Sequence, residues 1–92
     1  MEPDPDADID HGAPLPPYRQ LAGILVARIR RGDWQPNRAI PSESQLVQEY
    51  GLARATVRRA IAVLVDQGVL FVVPQRGTFV KPDGQQPSIS EA

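Results

Sequence analysis

The pattern of apolar residues predicts an α+β fold in which three helices are followed by a two-stranded β-hairpin. Apolar residues recur with a helical period in three segments, over about 17–31, 42–50 and 54–67. Two β-branched and aromatic runs, 69–73 and 78–81, flank the turn sequence Pro74-Gln75-Arg76-Gly77. The second and third helices are separated by a turn of about three residues containing Gly51, the connection expected of a helix-turn-helix.

In the first helix, Pro17 suits the opening position, because the N–H it lacks would have no intrahelical acceptor there. Tyr18, Leu21, Leu25 and Ile29 form a stripe, widened by Ala22, Ile24 and Val26. Arg28, Arg30 and Arg31 favour the negative end of the helix dipole, and Gly32 ends the helix. Residues 33–41 form a connector with a turn at Pro36-Asn37 and a short extended piece, a possible third strand, near 38–40; Trp34 reads as a core plug beneath it. Ser42 opens the second helix, and Ser42-x-x-Gln45 is a capping box. Leu46, Val47 and Tyr50 supply that helix's inner face, Gly51 closes it, and Leu52 turns into the core. Val57, Ala60, Ile61 and Leu64 mark the buried face of the third helix, which Gly68 ends.

A chain of 92 residues makes one small domain, expected to occupy 17–81 between tails at 1–16 and 82–92. The first tail is acidic and Pro-rich and is expected to be disordered, and the second is expected to be flexible. Asp4, Asp6, Asp8 and Asp10 have the alternation of a calcium loop, but its sixth-position glycine and twelfth-position glutamate are missing, so the segment reads as a solvated tail. With no cysteine and a single histidine, His11, the chain has no material for a thiolate site or a Ser-His-Asp triad. It is expected not to be an enzyme and to need no cofactor. No apolar run approaches a membrane span and no secretory leader is evident, so the expected location is cytoplasmic. The net charge of −1 conceals an asymmetry: residues 17–81 hold all ten basic residues against four acidic ones, a net of +6, whereas 1–10 hold five acids and no base. The folded part is a cationic body suited to nucleic acid, and the acidic tail is expected to compete with phosphate for it.

Arg54 and Arg58 are four residues apart and share one helix face, opposite Val57, Ile61 and Leu64. Two guanidinium forks would then point outward from the start of the third helix. Arginine is the side chain best shaped to grip guanine O6 and N7 through two bonds. The helix dipole disfavours cations at that end, so stability alone would place acids there. This reading requires both arginines to be turned outward and free of intramolecular ion pairs. Thr56 can bond a phosphate or touch a thymine methyl, and Arg59, further round, suits backbone phosphate. At the hairpin tip, Gln75, Arg76 and Gly77 would lie near phosphate or in a minor groove.

These residues resemble the DNA-binding domain of the GntR family of bacterial transcription regulators. The matching stretches are Tyr18-Arg19-Gln20-Leu21, Gly32, Pro36, Pro41-Ser42-Glu43, Gln45-Leu46, Arg54-Ala55-Thr56-Val57-Arg58-Arg59-Ala60, Leu64, Gly68 and Arg76-Gly77-Thr78-Phe79-Val80. They cover 18–80 in family order. The resemblance implies a winged helix-turn-helix with the third helix in the major groove of double-stranded DNA and the hairpin as the wing. It also implies a transcription regulator, expected to repress, on a two-fold symmetric operator. By position, Arg54 and Arg58 correspond to base readers, Thr56 to a phosphate or base contact, and Gln75 to Gly77 to the wing contact. Ser44 is carried in the candidate set at a position where the family often has arginine. Ala53 stands where the family usually has a Ser or Thr cap, Gln75 replaces a wing glycine, and Asn37 replaces a glycine it can mimic. The effector-binding and pairing domain that usually follows is not in this chain, so pairing is expected on DNA. The alternative reading is a protein-interaction module on the same scaffold.

Overall fold

A computed structural model describes residues 4–82. Helix α1 spans Pro17–Arg31, α2 Glu43–Tyr50 and α3 Arg54–Asp66; strands β1 (Leu70–Val73) and β2 (Gly77–Val80) follow. Pro17 does open α1, and Gly32 ends it in the left-handed region at φ 95°. Ser42 is the N-cap of α2: its Oγ accepts from the Gln45 N–H (3.2 Å) while Gln45 Oε1 accepts from the Ser42 N–H (2.8 Å). Gly51 closes α2 at φ 65°, a conformation that costs glycine little. The chain then has only Leu52 and Ala53 in which to turn before α3 begins.

α3 is the central element, with α1, α2 and β1 all packed against it. Its inner face is the predicted one: Val57, Ala60, Ile61 and Leu64 are buried, opposite Leu21, Leu25 and Ile29 of α1 in one core. α2 is anchored more narrowly. Leu46 is its single buried residue, with Val47 and Tyr50 packed against the cluster but partly exposed. Trp34 packs partly buried against the core, with the Arg28 guanidinium 4.4 Å from its ring centroid.

The hairpin pairs Leu70 with Val80, Phe71 with Phe79, Val72 with Thr78 and Val73 with Gly77. Leu70 and Val80 close its base into the core, and the rings of Phe71 and Phe79 stack at 5.7 Å. The extended piece near 38–40 lies on the other side of β2 as an isolated bridge between Ala39 and Phe79, not as a full strand. It is held by Val80 N–H to Arg38 O (3.0 Å) and Ile40 N–H to Thr78 O (2.9 Å). Asn37 takes φ 66° beside it, as its turn chemistry foretold.

The acidic segment, for which disorder is expected, is described from Asp4 onward. Residues 4–16 form turns but no helix or strand, and they are tied to α1. The Gln20 amide clamps the segment: Oε1 accepts from the Asp10 N–H, and Nε2 donates to the carbonyls of Asp10 and Leu15. Asp6 accepts from Arg31 at 2.9 Å, and Ile9 packs on the core. The alternation of Asp4, Asp6, Asp8 and Asp10 has a simple physical cause. The four acids are exposed, while Pro5, Ala7 and Ile9 between them are partly buried, in a strap that begins with a turn closed by the Ala7 N–H on the Asp4 carbonyl (3.0 Å). The tail expected over 82–92 lies, beyond Pro82, outside the described residues.

Asp33 joins this end of the molecule. Its carboxylate accepts from Arg31 Nε and Nη2 (2.9 and 2.8 Å) and from Arg28 Nε (2.9 Å), while Arg28 Nη1 reaches Glu49 and the Tyr50 hydroxyl of α2. Arg31 first, then Arg28, holds the Asp33 carboxyl well below the usual carboxylate range. A depressed folded-state pKa stabilises above the unfolded value, and that contribution is lost as pH falls through the folded value. Acid unfolding followed by circular dichroism should therefore show stability declining below about pH 4, and Asp33→Asn should flatten the decline. An identical pH profile in the variant would remove this network from the account of acid lability.

Candidate nucleic-acid interface

The start of α3 carries most of the sequence-predicted residues, and its local structure shows why they are presented outward. Val57 is fully buried, which sets the rotation of the helix and places Arg54 and Arg58 on the exposed side. Their side chains are 53% and 65% exposed. The expectation that they are free of ion pairs is corrected: both lie on Glu43, the first residue of α2. Arg58 donates Nε to Glu43 Oε2 (3.1 Å) and Nη2 to Oε1 (3.0 Å). Arg54 donates Nη1 to Glu43 Oε1 at a long 3.5 Å and Nη2 to Ser44 Oγ at 3.2 Å. The cause is the helix-turn-helix itself, which brings the first turns of α2 and α3 side by side. Glu43 supplies at the α3 N-terminus the negative charge that the α3 sequence withholds. The hydrogen bonds from Arg58 lower the Glu43 carboxyl below its ordinary pKa, and Glu43 in turn raises that of Arg58.

Freedom from ion pairs, the condition the sequence reading set for base contact, is not met; only the exposure of the two guanidinium groups and the weakness of these pairs keep them available. Ion pairs between exposed side chains are worth about 0.2–1 kcal/mol, less than the ~1–3 kcal/mol of a good bidentate base contact. Arg58 engages Glu43 through its Nε–Nη2 side, and its Nη1 has no partner among the described residues. The end of that guanidinium is left to donate elsewhere.

Ser44, Arg54 and Arg58 thus gather around Glu43, which enters the sequence reading only within the Pro41-Ser42-Glu43 stretch of the GntR resemblance and is given no role there. Its signal was an acid in the first turn of α2, where the dipole alone accounts for it. Thr56 is half-buried, and its backbone N–H is taken by the Ala53 carbonyl (3.0 Å). Arg59 stands apart, its guanidinium 4.0 Å from the ring centroid of Tyr18 on α1; Arg19 lies 5.5 Å from the same ring. Two cations stacked on one phenol, neither ion-paired among the described residues, form a second positive locus. In the sequence Tyr18 belongs to the apolar stripe of the first helix and to the stretches that carry the GntR resemblance, and neither points to cations stacked on its ring.

The wing tip faces the first locus across a groove, with Ser44 and Arg54 in one wall and Gln75, Arg76 and Gly77 in the other. The Arg76 N–H donates to the Val73 carbonyl (3.0 Å), closing a turn with Pro74 and Gln75 at its centre. Gln75 has φ 66°, and Gly77 has φ 129°. The left-handed conformation costs a residue with a Cβ about 1–2 kcal/mol, so the substitution of glycine by glutamine here is borne at a local cost.

Ala53 occupies the α3 N-cap in extended geometry (φ −65°, ψ 149°) and makes no side-chain cap hydrogen bond. That backbone is already the one a capping hydroxyl needs. Ala53→Ser should therefore raise stability by about 1 kcal/mol, read as a higher denaturant midpoint at unchanged slope. No gain would mean that the first-turn N–H groups are satisfied some other way.

Three helices closed by an antiparallel hairpin, with a cationic first turn on the third helix, define a winged helix-turn-helix domain. Residues 17–80 match the family described as "Bacterial regulatory proteins, gntR family". The chain belongs to that family. It is 39% identical over 80 residues to the HTH-type transcriptional repressor NagR of Bacillus subtilis (86% of this chain, 33% of NagR). It is 43% identical over 68 residues to the mannosyl-D-glycerate transport/metabolism system repressor MngR of Escherichia coli (74% of this chain, 28% of MngR). Among solved structures it is similar to AraR(DBD) in complex with operator ORR3, with TM-score 0.71 and 37% identity over 82% of this chain and 90% of that one. The chain spans about a third of the length of the curated relatives it matches.

Proposed function

We propose that this chain is a sequence-specific, double-stranded-DNA-binding unit of a transcription regulator that acts as a repressor. The α3 helix enters the major groove, Arg54 and Arg58 read base edges, Thr56, Arg59 and Ser44 hold or line the backbone, and Gln75, Arg76 and Gly77 meet the minor groove. The observation that carries this reading is the outward pair of guanidinium groups at the start of α3, in a fold whose relative AraR(DBD) was solved on an operator. Its working place is the cytoplasm, and its work is binding, not catalysis. A domain of this size makes few contacts, so tight binding is expected from two copies on a two-fold site, paired on the DNA.

Selection of duplexes from a random pool tests the reading. Enrichment of a palindromic motif supports it; recovery of no common motif overturns it. Sedimentation with and without the selected duplex then tests pairing on DNA, with one copy per duplex as the opposing result. Competition between selected and random duplex separates this function from docking of an acidic protein on the same basic face.

A further inference from the structure

Glu43 lies on both proposed base readers, yet it reaches them from a different helix. It has one carboxylate and three charged hydrogen bonds, two from Arg58 and a longer one from Arg54. The pair with Arg58 is side-on: both carboxylate oxygens face Nε and Nη2, which sets the plane of the guanidinium as well as its position. Ser44 plays the matching part for Arg54 Nη2. A freely rotating arginine would have to surrender that freedom on binding a base edge, and here much of it is already gone.

We infer that Glu43 is a positioning and specificity-determining residue, which holds the Arg54 and Arg58 forks toward base edges while its negative charge weakens their attraction to phosphate. The inference rests on the base-reading role proposed for the two arginines. The physical argument has two parts. A side-on carboxylate takes Nε–H and one N–H of Nη2, and leaves both Nη1 N–H groups and the outer Nη2 N–H of Arg58 as donors, so the fork presents its end. A fixed anion between two cations also lowers the local positive potential that any phosphate would feel, whatever the sequence. A correctly placed base edge gains from the first effect, and random DNA loses by the second. Specificity is the ratio of the two affinities, so both effects raise it.

The test is Glu43→Gln, which keeps the length of the side chain and removes its charge. Its melting temperature is measured alongside, to separate a binding effect from loss of the fold. Affinities are measured at several salt concentrations for the duplex recovered by the wild-type chain and for a scrambled duplex of the same length and composition. The expected result is a fall of about tenfold in the affinity ratio, with several-fold tighter binding to scrambled DNA at low salt and a salt slope steeper by about one. In an Arg58→Ala background, Glu43→Gln should change the ratio much less, because a residue that acts through another loses its effect when the other is gone. An unchanged ratio in Glu43→Gln, with Arg58→Ala still lowering it, overturns the positioning role and leaves base reading standing. An equal change in both backgrounds also overturns it. If neither Arg54→Ala nor Arg58→Ala alters the ratio, base reading itself fails, and the role of Glu43 fails with it.

Discussion

Arg58→Ala is expected to weaken binding to the selected duplex by about 1–3 kcal/mol, roughly five- to 150-fold, and to relax preference at one base pair. The effect should be local in sequence space. Arg58 is two-thirds exposed and its far end is uncommitted, so the side chain contributes little to the core and much to whatever lies over α3. Titrations at one fixed salt concentration, against the selected duplex and its single-base-pair variants, give the answer. A uniform loss on every duplex would make Arg58 a phosphate contact and move base recognition elsewhere. The truncation also leaves Glu43 with only the long bond from Arg54, so part of the loss is an anion facing DNA with one weak partner.

Leu46→Ala should have the largest effect on stability. Leu46 has no exposure and is the one buried residue through which α2 is anchored. Truncating a buried leucine to alanine costs about 2–5 kcal/mol, a large share of the roughly 5–15 kcal/mol that holds a domain together. At about 4–8 °C per kcal/mol for a domain this small, the melting temperature should fall by about eight degrees or more. Leu46→Met, which nearly conserves volume, should cost under about 1.5 kcal/mol. Melting curves of the two variants check this, and a small shift for alanine would mean that Val47 and Tyr50 hold α2 without it. The functional consequence is direct: α2 carries Glu43 and Ser44, so loosening it also loosens the arginines of α3.

The proposed recognition surface therefore depends on two helix starts, and only one of them is legible in the chain. Arg54 and Arg58 stand out because they are cations where the dipole prefers acids, an anomaly visible along a single helix. Glu43 is inconspicuous because an acid in the first turn of α2 obeys the local rule. Tyr18 was equally hidden, since an aromatic residue at helical spacing reads as core, and the cations stacked on it come from its neighbour and from another helix. The contacts of the strap are hidden in the sequence for a related reason. Its acids dominate the composition, and the partly buried Pro5, Ala7 and Ile9 between them are too few to signal packing without a surface to pack on.

The sequence by itself determined the elements, because their signals are local: helical periodicity, the capping box at Ser42 and Gln45, glycines and Asn37 where the backbone turns left-handed, and β-branched runs about a proline turn. Tertiary structure alone decided which charges meet. It placed Glu43 on Arg54 and Arg58, Arg59 on Tyr18, Asp33 between Arg28 and Arg31, and the strap on Gln20. Coulombic and hydrogen-bonding partners are chosen by distance in space, and the helix-turn-helix turn brings together side chains eleven and fifteen residues apart that no sequence period relates.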